Sequence, residues 1–252
     1  MIKKDLFNKL LLNSDSNYLM SIPKIIHQIW LGPNKRPDIW MNSWKIDYIK
    51  QNPDWTYKLW TEIEINKIKM KNRKIYDSEI FYNGKSDIAR YEILYKYGGI
   101  FIDADSLWIK KSNNSLNKIL NMSKKIGMFC AEEPKNKWSI ANGVIGFCKE
   151  HSILKEIINY IDNNYFSLKK KYKRERDVWL VTGTKPFTDI VKKSDQKLIL
   201  ESYYFYPESF HKNNLHLNVK KFPKLYPKSI MFQYGYTTNN ILYNNIMKKF
   251  IN

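Results

Sequence analysis

The sequence predicts a single α/β domain built on a mixed, mostly parallel sheet flanked by helices. Short apolar runs of strand type alternate with amphipathic stretches from residue 22 to residue 232, the order that lays helices over a sheet. No repeat and no low-complexity linker divides the chain. A length of 252 residues and an aromatic content of 15% provide for a real core and argue against disorder.

Met1 to Leu12 reads as a short amphipathic helix broken by Lys3, Lys4, Asp5 and Lys9. Residues 1–21 form an expected N-terminal helical extension, and residues 22–252 one domain. The opening stretch has neither the apolar region nor the small-residue cleavage site of a signal peptide. No run approaches the roughly 18 apolar residues of a membrane span. Cys130 and Cys148 make neither a disulfide framework nor a zinc pattern, which suits a reducing compartment. The expected location is cytoplasmic, soluble or peripheral at a membrane surface.

Ile22 to Gly32 reads as a first strand, closed by a Gly-Pro-Asn turn. Trp30 stands at its carboxyl end, where open α/β sheets bind ligands. It suits either a stacking platform for a flat ring or a core position, while His27 suits a core or turn position rather than a ligand. Residues 38–51 fit a helix, Trp55 to Trp60 a second strand, and Glu62 to about Lys71 a charged helix. Asn72 to Lys85 shows little periodicity and is expected to loop.

The stretch from Ser86 to Asp105 organises the rest. Apolar and aromatic residues at 88, 91, 94 and 95 line one helix face, with Ser86 as the expected N-cap and Gly98-Gly99 as the turn. Asp87 and Arg90, three apart, share a face; they suit a surface ion pair or a pair that orients a ligand. Ile100-Phe101-Ile102 reads as a buried strand that runs into Asp103 and Asp105.

Farther on, Leu107 to Ile109 extends that strand briefly, Ser115 to Met122 is helical and Ile126 to Ala131 is a strand. Ser139 to Cys148 reads as a strand interrupted by glycines, which signals close backbone approach. His151 to Phe166 is an amphipathic helix, and the basic run Lys169 to Arg176 a solvated loop. Thr182-Gly183-Thr184 leads into a helix to about Lys193. Leu198 to Leu200 and Tyr203 to Tyr206 are short strands, Pro223 and Pro227 mark turns before Ser229 to Phe232, and Asn239 to Ile251 is a terminal helix.

Carboxylates are costly to bury unpaired, so two at the exit of a buried strand call for a neutralising partner. Hard oxygens at i and i+2 suit Mg²⁺ or Mn²⁺. A glycosidase would need carboxylates roughly 5–9.5 Å apart across a scissile bond, an awkward fit for neighbours on one strand tip. The net charge of +19 invites an anionic partner. Only 5 of the 43 basic residues are Arg, the usual reader of bases and phosphates, so no specific nucleic-acid binding is expected. General attraction to a nucleotide, an acidic glycan or a membrane surface is.

Ser86-Asp87-Ile88-Ala89-Arg90-Tyr91 followed by Gly99-Ile100-Phe101-Ile102-Asp103-Ala104-Asp105 resembles the DxD sugar-binding region of glycosyltransferase family 32. That family includes initiating mannosyltransferases and capsular polysaccharide transferases, and is distantly similar to the glucosylating domains of large clostridial toxins. Ile22 to Gly32 and Asn52 to Trp60 resemble its first two strands. Ala141-Asn142-Gly143 and Thr182-Gly183-Thr184 resemble later signatures, so the likeness covers roughly residues 22–190. It implies a GT-A fold and retaining transfer from a nucleotide sugar, UDP-linked in preference to GDP-linked, to a glycan, glycolipid or protein acceptor, as in polysaccharide biosynthesis. By the same resemblance Asp105 ligates the metal, Mn²⁺ or Mg²⁺, directly. Asp103 reaches it through water and contacts the donor, Asp87 and Arg90 hold sugar hydroxyls, Trp30 stacks on the base, and Asn142 approaches the donor sugar. Phe101 replaces a frequent Tyr. The family's C-terminal Trp- or His-bearing segment corresponds here to Met231 to Tyr236, where Gln233 and Tyr234 substitute or closure works differently. Glu132 and Glu133 are nucleophiles by residue type only, so a concerted same-face substitution is expected. The alternative is a noncatalytic nucleotide-sugar-binding module of the same fold. Acceptor loops are expected at Lys169 to Arg176 and Tyr206 to Lys221.

Overall fold

A computed structural model describes residues 20–134, 136–209 and 218–235. All but the last two residues of the expected N-terminal extension, and the whole expected terminal helix, lie outside them. The main sheet has six strands in the order β2-β1-β3-β6-β5-β7: β1 Ile25–Ile29, β2 Thr56–Trp60, β3 Gly99–Ile102, β5 Met128–Glu133, β6 Asn136–Phe147 and β7 Ile199–Leu200. β1 pairs parallel with β2 and β3, and β5 parallel with β7. β6 runs antiparallel between β3 and β5. A separate two-stranded antiparallel sheet joins β4 (Ser106–Trp108) to β8 (Met231–Gln233).

Period-2 alternation sorts the strand side chains between the two faces. Phe101 packs with Ile88, Tyr91, Leu94 and Phe187 on one face, whereas Ile100 and Ile102 pack with Trp44, Trp55 and Phe129 on the other. A third cluster of Trp40, Leu107, Phe222 and Phe232 closes the small sheet.

The helices are α1 Asp38–Asn42, α2 Glu62–Asn66, α3 Arg73–Ser78, α4 Tyr82–Tyr97, α5 Leu116–Ser123, α6 Ser152–Lys171, α7 Val178–Val181, α8 Thr184–Lys193 and α9 Phe222–Leu225. α1 continues through a π-wound stretch, Ser43–Tyr48, to a last turn at Ile49–Gln51. α4 is the central helix. It is buried nearly all round, from Asp87 through Leu94. Gly98 and Gly99, with φ of +64° and +104°, turn it into β3. A Cβ at either would stand 2.7 Å from Pro23 or from the Ile25 carbonyl, so glycine is required at both.

Five local expectations are corrected. α4 starts at Tyr82, so Ser86 is not its N-cap but an interior residue whose hydroxyl accepts from Arg90. The stretch expected to loop holds α3 and the first turn of α4, while the charged helix ends at Asn66. There Arg73 caps the Ile65 and Ile68 carbonyls at 2.6 and 3.0 Å. Tyr203 to Tyr206 is no strand: Ser202–Tyr204 is a 3₁₀ turn, and its carbonyls are taken by Ser229 Oγ and the Ile230 N–H. Lys169, finally, lies in the last turn of α6 with its ammonium 3.1 Å from both oxygens of the buried Glu79. A charge run reads as solvent-facing until one member finds a buried carboxylate.

Candidate active site

Because β1 and β3 are parallel, their carboxyl ends leave the sheet on one edge and bring Trp30 and Asp103 to the same side. Trp30 is half-buried, lies outside the three core clusters and donates from Nε1 to the Asn34 carbonyl at 3.0 Å. The core reading of Trp30 is therefore not the one found. His27 is a core residue: Nε2 lies 2.9 Å from the Gly98 carbonyl and Nδ1 accepts from Trp60.

The backbone at Asp103 is held by three neighbours. Its N–H donates to the Gly143 carbonyl at 2.8 Å. Its carbonyl accepts from Gln28 Nε2 at 3.1 Å and from Ser106 Oγ at 2.6 Å. Tyr57 donates to Gln28 Oε1 behind it, and Trp44, from the π-wound stretch, donates to both oxygens of Ser106. The backbone is thus fixed before the Asp103 carboxylate itself is considered.

α4 lies over this strand end. The Asp87 and Arg90 side chains are only 9% and 7% exposed, with 3.3 Å between them, so they are not a surface pair. Arg90 also lies 3.5 Å from Asp103 Oδ1 and donates to the Asn142 carbonyl at 2.8 Å, with its guanidinium 4.2 Å from the Phe101 ring centroid. Asn142 Nδ2 donates to Asp87 Oδ1 and Tyr91 Oη, both at 3.0 Å, and Thr182 Oγ1 donates to Asp87 Oδ2 at 3.1 Å. Thr184 reaches Asn142 Oδ1 at 3.3 Å. Burial pushes Asp87 up to about 6, against the pull of Arg90. It raises Asp103 too, with Arg90 and Gln233 in opposition. Burial pulls Arg90 down, but Asp103 and Asp87 hold it above its ordinary value.

Across the site, Gln233 at the end of β8 donates from Nε2 to Asp103 Oδ2 at 3.1 Å and to Asp105 Oδ1 at 3.4 Å. Both carboxylates thus lie within reach of one amide. Gln233 Oε1 is buried without a hydrogen-bond partner. Among the described residues no group of three or more His, Cys, Asp and Glu gathers. A cation here would have two carboxylates and would complete its shell with amide, water or phosphate oxygens, as Mg²⁺ commonly does. The hard-oxygen donor set and the orphaned amide oxygen fit such an ion.

The structure therefore brings Asp87, Arg90, Asn142, Asp103 and Asp105 together, with Trp30 on the same sheet edge. Gln28, Trp44 and Ser106 were given no role in the site by sequence reading, and Tyr91 was read only as part of the helix face and motif. Tyr91 had a usable signal in its place one residue after Arg90, on the face that β6 meets. For Gln28 the signal was weaker: a polar residue inside an apolar strand.

The mixed, mostly parallel sheet flanked by helices is of the GT-A type, and it delivers an Asp-Ala-Asp pair beside a buried Asp–Arg–Asn network. The model of the glycosyltransferase sugar-binding region containing a DXD motif matches residues 37–124. An uncharacterised glycosyltransferase of Acanthamoeba polyphaga mimivirus is 30% identical over 202 residues, covering 74% of this chain and 73% of that one. The chain belongs to this DXD glycosyltransferase family. It is also 31% identical over 156 residues to inositol phosphoceramide mannosyltransferase 3 of Schizosaccharomyces pombe; the match covers 60% of this chain but 40% of that protein. A crystal structure of a glycosyltransferase involved in glycosylating the major capsid of PBCV-1 shares the fold at a TM-score of 0.50 and 12% identity, over 90% of this chain and all of that one. No helix of the described residues is long and apolar enough to cross a membrane.

Proposed function

We propose that this chain transfers a sugar from a nucleoside-diphosphate sugar to an acceptor hydroxyl, with Mn²⁺ or Mg²⁺ held by Asp103 and Asp105. The carrying observation is the geometry of that pair, two carboxylates within reach of a single amide on a backbone held by Gly143, Gln28 and Ser106. When bound, the cation supplies charge neutralisation for the departing diphosphate. The chain's own residues do the rest. Trp30 stacks on the base, and Asp87, Arg90 and Asn142 form the wall against which the sugar hydroxyls are oriented. Tying Asp103 to Arg90 keeps one carboxylate from swinging away from the pair.

Retention of anomeric configuration is part of the proposal. It is what the resemblance to glycosyltransferase family 32 implies, and no side chain of the site stands out as a covalent nucleophile. For the acceptor, a glycan, lipid or protein hydroxyl is proposed. The fission-yeast relative is by its name an enzyme of inositol phosphoceramide, an anionic lipid, and a chain of net charge +19 suits a negatively charged acceptor or membrane surface. UDP-sugars are proposed ahead of GDP-sugars.

Release of nucleoside diphosphate from a panel of UDP- and GDP-sugars with Mn²⁺ is the direct test. Wild type releases one of them, Asp105→Ala abolishes metal-dependent donor binding, and Asp103→Ala weakens it strongly while both still fold. NMR of the product gives the anomer. Donor binding without release would leave the noncatalytic module standing, and undiminished binding in both variants would reject the metal site.

A further inference from the structure

We infer that Gln233 is a two-position residue: its amide N–H groups occupy the acid pair when no cation is present, and its amide oxygen becomes the third protein ligand when one is. The inference rests on the metal reading above. Three features point to it. Gln233 Nε2 lies 3.1 Å from Asp103 and 3.4 Å from Asp105, so a neutral donor stands where the carboxylates converge. Its partner atom, Oε1, is buried and has no hydrogen-bond partner, a cost that a buried acceptor normally avoids. A terminal amide has nearly the same shape after a half-turn, which exchanges donors for a hard oxygen.

The half-turn is conditional by chemistry. Without a cation, the oxygen turned inward would face two carboxylates and be repelled. With a divalent ion between them, the N–H₂ group would face positive charge, and the oxygen is favoured. The backbone meanwhile stays put, because the Tyr234 N–H holds the Asp105 carbonyl at 3.0 Å and Ser106 pairs with Gln233 in the β4–β8 ladder. A residue fixed at its main chain and free at its last torsion can exchange roles without moving a strand.

Titration of the full chain with MnCl₂, alone and with UDP or GDP, followed by the electron paramagnetic resonance of free Mn²⁺, is the binding test. Gln233→Leu should bind roughly tenfold more weakly or worse, the range seen when groups around a metal are lost. Gln233→Glu, which restores an oxygen, should bind at least as tightly as wild type. Equal binding by wild type and Gln233→Leu overturns the inference alone; absence of Mn²⁺ binding by wild type overturns the metal reading with it. A second readout needs no folded variant at all. In ¹⁵N-labelled wild type, saturating MgCl₂ should move the Gln233 side-chain NH₂ resonances away from their carboxylate-bonded positions. Resonances left in place would refute the exchange.

Discussion

At Arg90 three demands meet: it pairs with Asp87, draws in Asp103 and satisfies the Asn142 carbonyl. Leaving a buried carboxylate unpaired costs on the order of 3–5 kcal/mol, so Arg90→Ala should fall sharply in calorimetric Tm. Arg90→Lys supplies charge but no planar fork. It should keep more stability yet lower sugar transfer about tenfold or more, about 1.4 kcal/mol in the barrier, at unchanged nucleoside diphosphate affinity. Wild-type turnover in Arg90→Lys would remove the guanidinium from sugar orientation. His27 sets a different dependence. Burial, with Lys58 adding to it, lowers its pKa to about 4. The unfolded chain therefore takes up a proton near pH 6.5 that the folded chain refuses until about pH 4. His27's contribution is complete above 6.5 and lost as pH falls across that window, by at most roughly 3 kcal/mol. Melts of wild type and His27→Gln from pH 7.5 to 4 should show the steeper acid slope in wild type.

Among the elements, β6 is the one whose direction makes the site. Antiparallel to β3, it places Gly143 beside Asp103, where an added Cβ would lie 2.4 Å from Asp103 Oδ2. Because that neighbour is a side chain, Gly143→Ala should fold with near wild-type circular dichroism and a modest loss of Tm. Its cost should appear in Mn²⁺-dependent donor affinity, about tenfold weaker, since the displaced carboxylate is one of the pair; undiminished affinity would mean that Asp103 has room to spare. The glycines of this strand were readable as a mark of close approach, but not what approaches them. α4 was likewise legible from its spacing, while its true start at Tyr82 was hidden. The turn before Ser86 has no capping side chain, and its residues are fixed by contacts such as Lys85 to the Tyr76 carbonyl.

Across the whole molecule, legibility followed sequence separation. Asp87, Arg90, Asp103 and Asp105 lie in one contiguous stretch, so local pattern exposed them together. Trp44 to Ser106 spans 62 residues and Thr182 to Asp87 spans 95; partners that far apart leave no periodic trace. Among the site's side-chain hydrogen bonds the longest spans are those of Gln233, 130 and 128 residues from the aspartates it bonds. They belong to a two-stranded sheet of three paired positions set apart from the six-stranded one, and a lone pair of strands is marginal by itself. Such an element opens at a lower free energy than the rest. Native-state hydrogen exchange should find the Ile109 and Tyr234 amides, bonded to Ile230 and Asp105, exchanging well before those of β1 and β3. Equal protection would show one cooperative unit. If the small sheet opens first, the acid pair loses its amide while the fold persists, and a population of intact but incompetent molecules stands between the native and unfolded states. Inactivation on warming would then precede unfolding.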